Sequence, residues 1–102
     1  MKIPKKVRIA GHNYKILWDD KGLSKKRLIG NMNNDFKEIR LCKYYKSSRA
    51  RAKSEIEETF IHEIMHGIDK YYNNNSLSEK ALDRLSTGLY QVISDNFVIK
   101  TK

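Results

Sequence analysis

The fold of this 102-residue chain is decided by residues 54–72, SEIEETFIHEIMHGIDKYY. Ser54 followed three residues later by Glu57 has the pattern of a capping box, in which the Ser is the N-cap and the Glu is the third helical residue. Apolar residues then recur at helical spacing: Ile56, Phe60, Ile64, Ile68 and Tyr71. The stretch therefore predicts a helix with one buried face, on which Gly67 lets another element approach closely.

A second helix is predicted after a short loop. Asn73-Asn74-Asn75 ends the first helix, and Ser78 is a suitable N-cap for the next one. One apolar stripe then continues to near Val98, through Leu82, Leu85, Leu89 and Val92. Because residues 73–77 form so short a connection, the two helices are expected to pack as an antiparallel pair.

The first 45 residues read as strands. Residues 7–9 and 14–18 alternate apolar and polar side chains around a turn signal at residues 11–13, which predicts a β-hairpin. Residues 28–32 and 38–42 predict a third and a fourth strand, separated by the turn residues Asn33-Asn34-Asp35. The sequence thus predicts an α+β fold, an N-terminal antiparallel β-meander of three or four strands followed by two C-terminal helices.

Length and composition favour a single domain covering residues 1–102. Apolar residues make up 39% of the chain and charged residues 32%, which predicts a compact fold with a large solvated surface. No apolar run approaches the roughly 20 residues of a membrane-spanning helix. No apolar stretch follows the basic N-terminus, and the single cysteine, Cys42, cannot form an internal disulfide. We therefore expect a cytoplasmic protein, with Cys42 as a strand-end residue.

The net charge of +9 is divided unevenly. Residues 1–53 have a balance of +12, whereas residues 54–102 have a balance of −3. The basic half indicates either a nucleic acid or acidic partner, or a solvated surface. Residues 43–53 are basic and contain two tyrosines, so they either bind a nucleic acid or form a loop or extra helical turn near the site.

The motif His62-Glu63-Ile64-Met65-His66 carries the chemistry. Two histidines four residues apart on a helix point in the same direction, so both imidazoles can bind one Zn²⁺ ion. Glu63 follows the first histidine and is placed to take a proton from a water molecule activated by the metal. These three residues predict two metal ligands and a general base; two solvated histidines on a surface helix are the alternative.

A hydrolytic zinc site needs a third protein ligand and an open fourth position. The first candidate on the second helix is Glu79, because the short loop brings it back over the motif. Asp83 lies one turn further on and can orient a ligand histidine, although both acids can also simply complement the helix dipole. Asp69 is the second choice for the third ligand, since it lies on the same side of the helix as His66.

A helix bearing His-Glu-Ile-Met-His-Gly, followed by one bearing Glu-Lys-Ala-Leu-Asp, resembles the glutamate-ligand zincins, or gluzincins. In that class the third ligand is a Glu with an Asp four residues later, which Glu79 and Asp83 match. The segments KVRIAGHNYKI, EIRL and EKALDRLSTGLYQ make nearly the whole chain similar to the small metallopeptidases of phages and prophages, with a more distant likeness to the ImmA/IrrE peptidases.

This resemblance implies a minimal zincin-like fold, a bound Zn²⁺ ion, a protein or peptide substrate and a bacterial cell, with the gene carried by a phage or prophage. In zincins an edge strand next to the active helix pairs with the substrate, which suggests a substrate-binding role for Ile39, Arg40 and Leu41. A Tyr or His often stabilises the oxyanion, and the candidates are Tyr71, Tyr72, Tyr90 and His12.

The function predicted from the sequence is therefore that of a zinc-dependent metallo-endopeptidase, in which His62, His66 and Glu79 bind zinc and Glu63 is the general base. His/His/Glu favours Zn²⁺, although Fe²⁺, Mn²⁺ and Co²⁺ remain alternatives. Two further functions compete with it. One is a nucleic-acid-associated protein with a structural or vestigial zinc site, and the other is a phage protein that blocks a host factor by binding it. No membrane partner is expected, and the sequence leaves the oligomeric state open.

Overall fold

The computed structural model describes residues 1–46 and 49–98. A four-stranded sheet is followed by two long C-terminal helices, which confirms the predicted α+β class. The elements in chain order are β1 (Lys6–Ile9), β2 (His12–Trp18), α1 (Asp20–Lys25), β3 (Gly30–Asn33), β4 (Glu38–Leu41), β5 (Tyr44–Tyr45), β6 (Arg49–Ala50), α2 (Lys53–Tyr72) and α3 (Glu79–Asn96).

The first two strands form the predicted hairpin. Val7 pairs with Tyr14 and Ile9 pairs with His12, so the connection has two residues, Ala10 and Gly11. Both have positive φ, 51° and 83°, as a type I′ turn requires. The turn therefore lies one residue earlier than the sequence signal indicated.

The sheet is mixed, and in this respect the expected antiparallel meander is wrong. The strand order is β1-β2-β4-β3, with β2 and β4 parallel and the other two pairs antiparallel. Leu17 is the register partner of Arg40, and Met32 is that of Ile39. The chain passes over one strand position after β2, and the β3–β4 hairpin then folds β4 back into the gap.

The helix α1 makes this crossover, and no helix was predicted between the second and third strands. Asp19 is the N-cap, and its Oδ1 accepts a hydrogen bond from the Gly22 backbone N–H at 2.9 Å. That hydrogen bond, with help from the Arg40 guanidinium, holds the pKa of Asp19 below its ordinary value. Leu23 is buried, so a single apolar side chain anchors this short helix.

The core lies between the sheet and α2. Its buried members are Ile9, Tyr14, Ile16, Ile39, Leu41 and Phe60. A Cβ atom added at Gly67 would lie 3.0 Å from Ile9 Cδ1 and 3.2 Å from Met32 Cε. The absence of a side chain at this position therefore lets α2 lie directly against the sheet, as the sequence suggested.

The start of α2 differs from the prediction by about half a turn. The N-cap is Ala52, whose backbone N–H donates to Glu55 Oε1 at 3.1 Å, so Glu55 takes the role expected of Glu57. Glu57 is buried instead and accepts a hydrogen bond from Tyr90 on α3. Ser54 is not the cap because the helix already begins at Lys53.

The second long helix begins as predicted. Ser78 is the N-cap of α3, and its hydroxyl oxygen accepts a hydrogen bond from the Ala81 backbone N–H at 3.1 Å. The helix packs on α2, but of the four residues in the predicted apolar stripe only Leu82 is buried. Within residues 1–46 and 49–98, no helix has both the length and the apolar character that crossing a membrane requires.

Candidate metal centre

The two motif histidines lie in the middle of α2, one turn apart on the side that faces α3. Their rings are 4.9 Å apart between centroids and meet edge to face. The side chain of His62 is 19% exposed and that of His66 is 35% exposed. Both imidazoles are therefore held at the surface of a cleft rather than sealed in the core.

Glu79, the first residue of α3, reaches both histidines. Its Oε1 lies 3.0 Å from His62 Nε2, and its Oε2 lies 3.4 Å from His66 Nε2. One ligand atom from each of the three residues lies within 4.8 Å of the other two. The short loop between α2 and α3 thus brings the predicted third ligand over the motif.

This donor set fits a zinc ion. Ligand atoms at about 2.0–2.1 Å from a tetrahedral ion are about 3.3–3.4 Å from one another. Each histidine nitrogen lies 3.0 or 3.4 Å from one of the two Glu79 oxygens, and the three ligand atoms lie within 4.8 Å of one another, so small side-chain shifts would bring them to these separations. Two imidazoles and one carboxylate are the ligands of a catalytic rather than a structural zinc site. The Glu79 side chain is 70% exposed, so one side of the cluster is open to a water molecule or a substrate.

The second nitrogen of His62 has a carboxylate nearby. Asp83 Oδ1 lies 3.4 Å from His62 Nδ1, on the opposite side of the ring from Glu79. A carboxylate in this position accepts the outer N–H and fixes the tautomer in which Nε2 is free to bind a metal. The position of Asp83 is thus the one expected for an orienting residue.

Asp69, the second choice for the third ligand, has another role. It is buried, and its Oδ1 accepts hydrogen bonds from Asn73 Nδ2 at 2.9 Å and from the Leu77 backbone N–H at 3.2 Å. Its carboxylate therefore holds the loop between α2 and α3 in shape. This loop in turn fixes the position of Glu79.

Glu63 lies at the floor of the same cleft and is only 6% exposed. Burial, and secondarily the nearby negative charge of Glu79, raises the pKa of its carboxyl to about 7. A cation held by the three ligands would offset the charge of Glu79 and lower this pKa again. The residue is thus a buried carboxyl beside the cluster, which is the environment of a general base.

The edge of the sheet covers Glu63. A Cβ atom added at Gly30, at the start of β3, would lie 2.6 Å from Thr59 Cγ2 and 3.0 Å from Glu63 Oε2. Arg51 supports this contact from behind, because its Nη2 donates to Thr59 Oγ1 at 2.7 Å and its Nη1 to the Cys42 carbonyl at 3.3 Å. Arg51 belongs to the basic segment 43–53, but it is buried and structural.

The cleft around the cluster has a volume of about 790 Å³. The floor is α2, and α3 forms one wall with Asp83, Ser86 and Thr87. The opposite wall consists of residues 27–31 and Tyr45, which the sequence did not assign to the site. Only their position in the sequence could have indicated them, since residues 27–31 lead into an edge strand and Tyr45 lies shortly before α2.

The substrate-binding strand expected from the sequence requires a correction. Strand β4, which contains Ile39, Arg40 and Leu41, is central and hydrogen-bonded on both sides, to β2 and to β3. Ile39 and Leu41 are fully buried, and Arg40 forms ion pairs with Asp19 at 2.9 Å and with Glu38 at 3.1 Å. The edge strand beside the cleft is β3, because the mixed sheet places β4 inside it.

None of the four candidates for stabilising an oxyanion lines this cleft. Tyr71 hydrogen-bonds to Tyr14 at 2.6 Å and is stacked on His12, near the far end of α2. Tyr90 donates to Glu57, and Tyr72 is exposed. Tyr45 is the tyrosine that does line the cleft, on the wall opposite α3.

Comparisons with protein-family models, with curated proteins and with solved structures find no match to this chain. Any functional proposal therefore rests on the residues of the site.

Proposed function

We propose that the protein is a zinc-dependent metallo-endopeptidase that hydrolyses a peptide bond with a water molecule and Glu63 as general base. The observation that carries this proposal is the convergence of His62, His66 and Glu79 in an open cleft, beside a buried carboxyl. A merely solvated pair of histidines would not require a third ligand group on another helix, nor a buried acid next to the pair.

Zinc in such a site acts as a Lewis acid that activates water and polarises the scissile carbonyl. Glu63 accepts a proton from the attacking water and then donates it to the leaving amine. Asp83 keeps the ring of His62 in one orientation, and the burial of Glu63 beneath Gly30 keeps bulk water from its carboxylate. The chain thereby supplies a base, an orienting group and a partly dry floor.

The proposed substrate is an extended peptide in the cleft. Support comes from β3, which pairs with β4 on one side and, among the described residues, with no strand on the other. Gly30 and Asn31 of this strand line the cleft, so a peptide can hydrogen-bond to its free edge. Leu28 and Ile29, which are exposed on the same wall, offer apolar contacts to a substrate side chain.

The test is metal content after purification and reconstitution with Zn²⁺. The wild-type protein is expected to hold about one zinc per chain, as one four-coordinate site requires. Glu79→Ala is expected to lose most of it, because the third ligand is removed. Glu58→Ala is the matched control, since Glu58 is a carboxylate of the same cleft outside the cluster.

Two results would contradict the proposal. The first is a wild-type protein that takes up no zinc even when the ion is supplied in excess. The second is equal zinc retention by Glu79→Ala and Glu58→Ala, which would mean that the cluster does not form the site.

One observation favours binding of a polyanion such as nucleic acid as a second candidate. Lys6, Arg8 and Lys15 are exposed on the face of the sheet opposite α2, and Lys6 is the cross-strand partner of Lys15. Like charges directly opposite each other destabilise a hairpin unless an anion binds between them. Among the described residues none of the three has a carboxylate partner.

This second candidate predicts duplex DNA binding that weakens steeply with salt and that Arg8→Glu reduces further. Its control is Arg27→Glu, which makes the same charge change on the wall of the cleft. Equal affinity of the two variants, or no binding at low salt, would exclude the sheet face as a nucleic-acid surface.

A further inference from the structure

The helix α3 has an apolar stripe that the fold does not bury. Leu85 is 51% exposed, Leu89 is 38% exposed and Val92 is 45% exposed. Their spacing of four and three residues places them on one line along the helix. Leu82 and Ser86 face α2 and are buried, so the stripe belongs to a different side of α3 from the one that completes the core.

A glycine on the same side of α3 has no packing explanation among the described residues. Gly88 lies one turn beyond Leu85, and a Cβ atom added there would meet no atom of residues 1–46 and 49–98 within 4 Å. Glycine in a helix interior is less favourable than alanine. Because there is room for a methyl group at this position, packing within the described part of one copy does not explain why the residue is glycine. A second backbone that packs closely on this side would explain it.

Two opposite charges flank the stripe along one edge. Arg84 and Asp95 are eleven residues apart, which is close to three helical turns, so both lie on the same side of α3. Among the described residues Arg84 has no carboxylate within ion-pair distance, and the side-chain partner of Asp95 is Gln91, at 2.8 Å. If the same edge of a second α3 helix lay alongside in the antiparallel direction, Arg84 of each helix would face Asp95 of the other.

We propose that this face of α3 binds the same face of a second copy, so that the two helices pack antiparallel about a twofold axis. In this arrangement Leu89 meets Leu89 of the second copy near the axis, and Leu85 meets Val92. The same register places Arg84 opposite Asp95, and the symmetry forms this pair twice. Apolar contacts and charge pairs thus agree on one alignment.

The distribution of charge favours a second copy as the occupant. The basic half, residues 1–53, carries +12, and two copies that met through it would repel each other. Residues 54–102 carry −3, and the face itself contains one cation and one anion along its edge. Glu79 and Asp83 lie on the other side of α3, so a dimer formed this way leaves the cleft open.

The first test is the oligomeric state of the full chain, measured by sedimentation equilibrium over a range of concentrations. We expect a reversible dimer, which Leu89→Glu converts to a monomer because two carboxylates would meet at the axis. Phe36→Glu is the matched control, since Phe36 is 75% exposed and lies in the turn between β3 and β4, outside α3, so this variant should remain a dimer. Circular dichroism checks that each variant keeps its helices.

The charge pairs allow a second test at exposed positions, where the substitutions do not threaten folding. Arg84→Glu and Asp95→Lys should each weaken the dimer roughly tenfold, because each creates two like-charge contacts. A mixture of the two variants should form a heterodimer of nearly wild-type affinity, since both pairs are then of opposite sign.

Three results would overturn the proposal. One is a wild-type chain that stays monomeric at every concentration, and another is a dimer that Leu89→Glu leaves intact. The third is a mixture of the charge variants that associates no better than either variant alone. Binding of the wild-type chain to lipid vesicles that Leu89→Glu abolishes, without dimer formation, would assign the face to a membrane surface instead.

Discussion

Two glutamates of α2, six residues apart and almost equally buried, lie in opposite chemical surroundings. Glu57 is 5% exposed, and its Oε1 accepts a hydrogen bond from Tyr90 at 2.7 Å. Its Oε2 has no hydrogen-bond partner among the described residues but lies 3.6 Å from the Met1 amino group and 3.8 Å from Lys53 Nζ. Glu63 is 6% exposed, and its pKa is governed by burial and by the negative charge of Glu79. One carboxylate joins two helices, whereas the other faces a cleft and has no cation within ion-pair distance among the described residues.

The difference is the one expected between a structural acid and the general base of the proposed function. A buried carboxylate that only stabilises a fold needs a donor, and Tyr90 is the donor for Glu57. Within residues 1–46 and 49–98, no hydrogen-bond donor reaches the Glu63 carboxyl, and both causes of its pKa shift disfavour the charged form. Its burial as a carboxylate is therefore unfavourable for the fold. An acid kept in so unfavourable a position beside a His/His/Glu cluster is best explained by chemistry at that cluster.

The largest expected effect is that of Glu63→Gln on peptide hydrolysis. The amide keeps the size of the side chain but cannot accept a proton, so we expect a fall of about 10²–10⁴-fold in the rate, the usual contribution of a general base. Zinc content should not change, and thermal stability should not fall, because a buried charge is replaced by a neutral group.

The measurement compares the cleavage of an unstructured protein substrate by the zinc-loaded wild-type and variant proteins. Glu57→Gln serves as the control, and it should cleave at the wild-type rate but melt at a lower temperature. If Glu63→Gln hydrolysed the substrate at the wild-type rate, Glu63 would not be the general base.

The next effect in size concerns the orientation of the ligands. Asp83→Asn should weaken zinc binding about 10- to 100-fold, since an amide holds the tautomer of His62 less firmly than a carboxylate. Competition with a chromogenic chelator measures the affinity. Asp95→Asn is a matched control on the far side of α3, and an equal loss in both variants would point to net charge rather than orientation.

Much of the site could be predicted because it depends on local geometry. Two histidines at a spacing of four share a helix face whatever the rest of the fold does, and a short loop leaves few places for Glu79. The Ser78 N-cap and the β1–β2 hairpin are equally local. For the same reason the four strands and two long helices were found close to their observed bounds.

The errors concern pairings between distant segments. The run Asp19-Asp20-Lys21-Gly22 has the composition of a turn, so α1 was missed, and with it the crossover that pairs β2 with β4. Once β4 is central, Ile39 and Leu41 belong to the core and the free edge passes to β3. Glu57 illustrates the same limit, because its burial depends on Tyr90, 33 residues away.

A smaller effect is expected where the sheet covers Glu63. Gly30→Ala would bring a methyl group to 2.6 Å from Thr59 Cγ2, so either the Thr59 side chain or β3 must shift. Overpacking of this kind should lower the free energy of unfolding by about 2–3 kcal/mol and loosen the cover over Glu63. Chemical denaturation measures the change in the free energy of unfolding. Gly67→Ala is the control, because it crowds Ile9 instead. It should destabilise the fold without changing the rate of hydrolysis per zinc-loaded molecule.

The smallest effect is expected for Tyr90→Phe, which removes the hydrogen-bond donor of the structural acid Glu57. Burial and the carboxylate of Glu57 raise the pKa of Tyr90 to about 12, so its hydroxyl remains a hydrogen-bond donor at any physiological pH. Tyr90→Phe removes this donor, and the free energy of unfolding should fall by about 1.5–2 kcal/mol, the lower end of the range for a hydrogen bond to a charged group. Adding Glu57→Gln should then cost less than it does in the wild-type protein, because the two residues act as one pair. If the two losses were simply additive, or if Tyr90→Phe changed zinc binding or hydrolysis, Glu57 and Glu63 would not be separable into a structural and a functional acid.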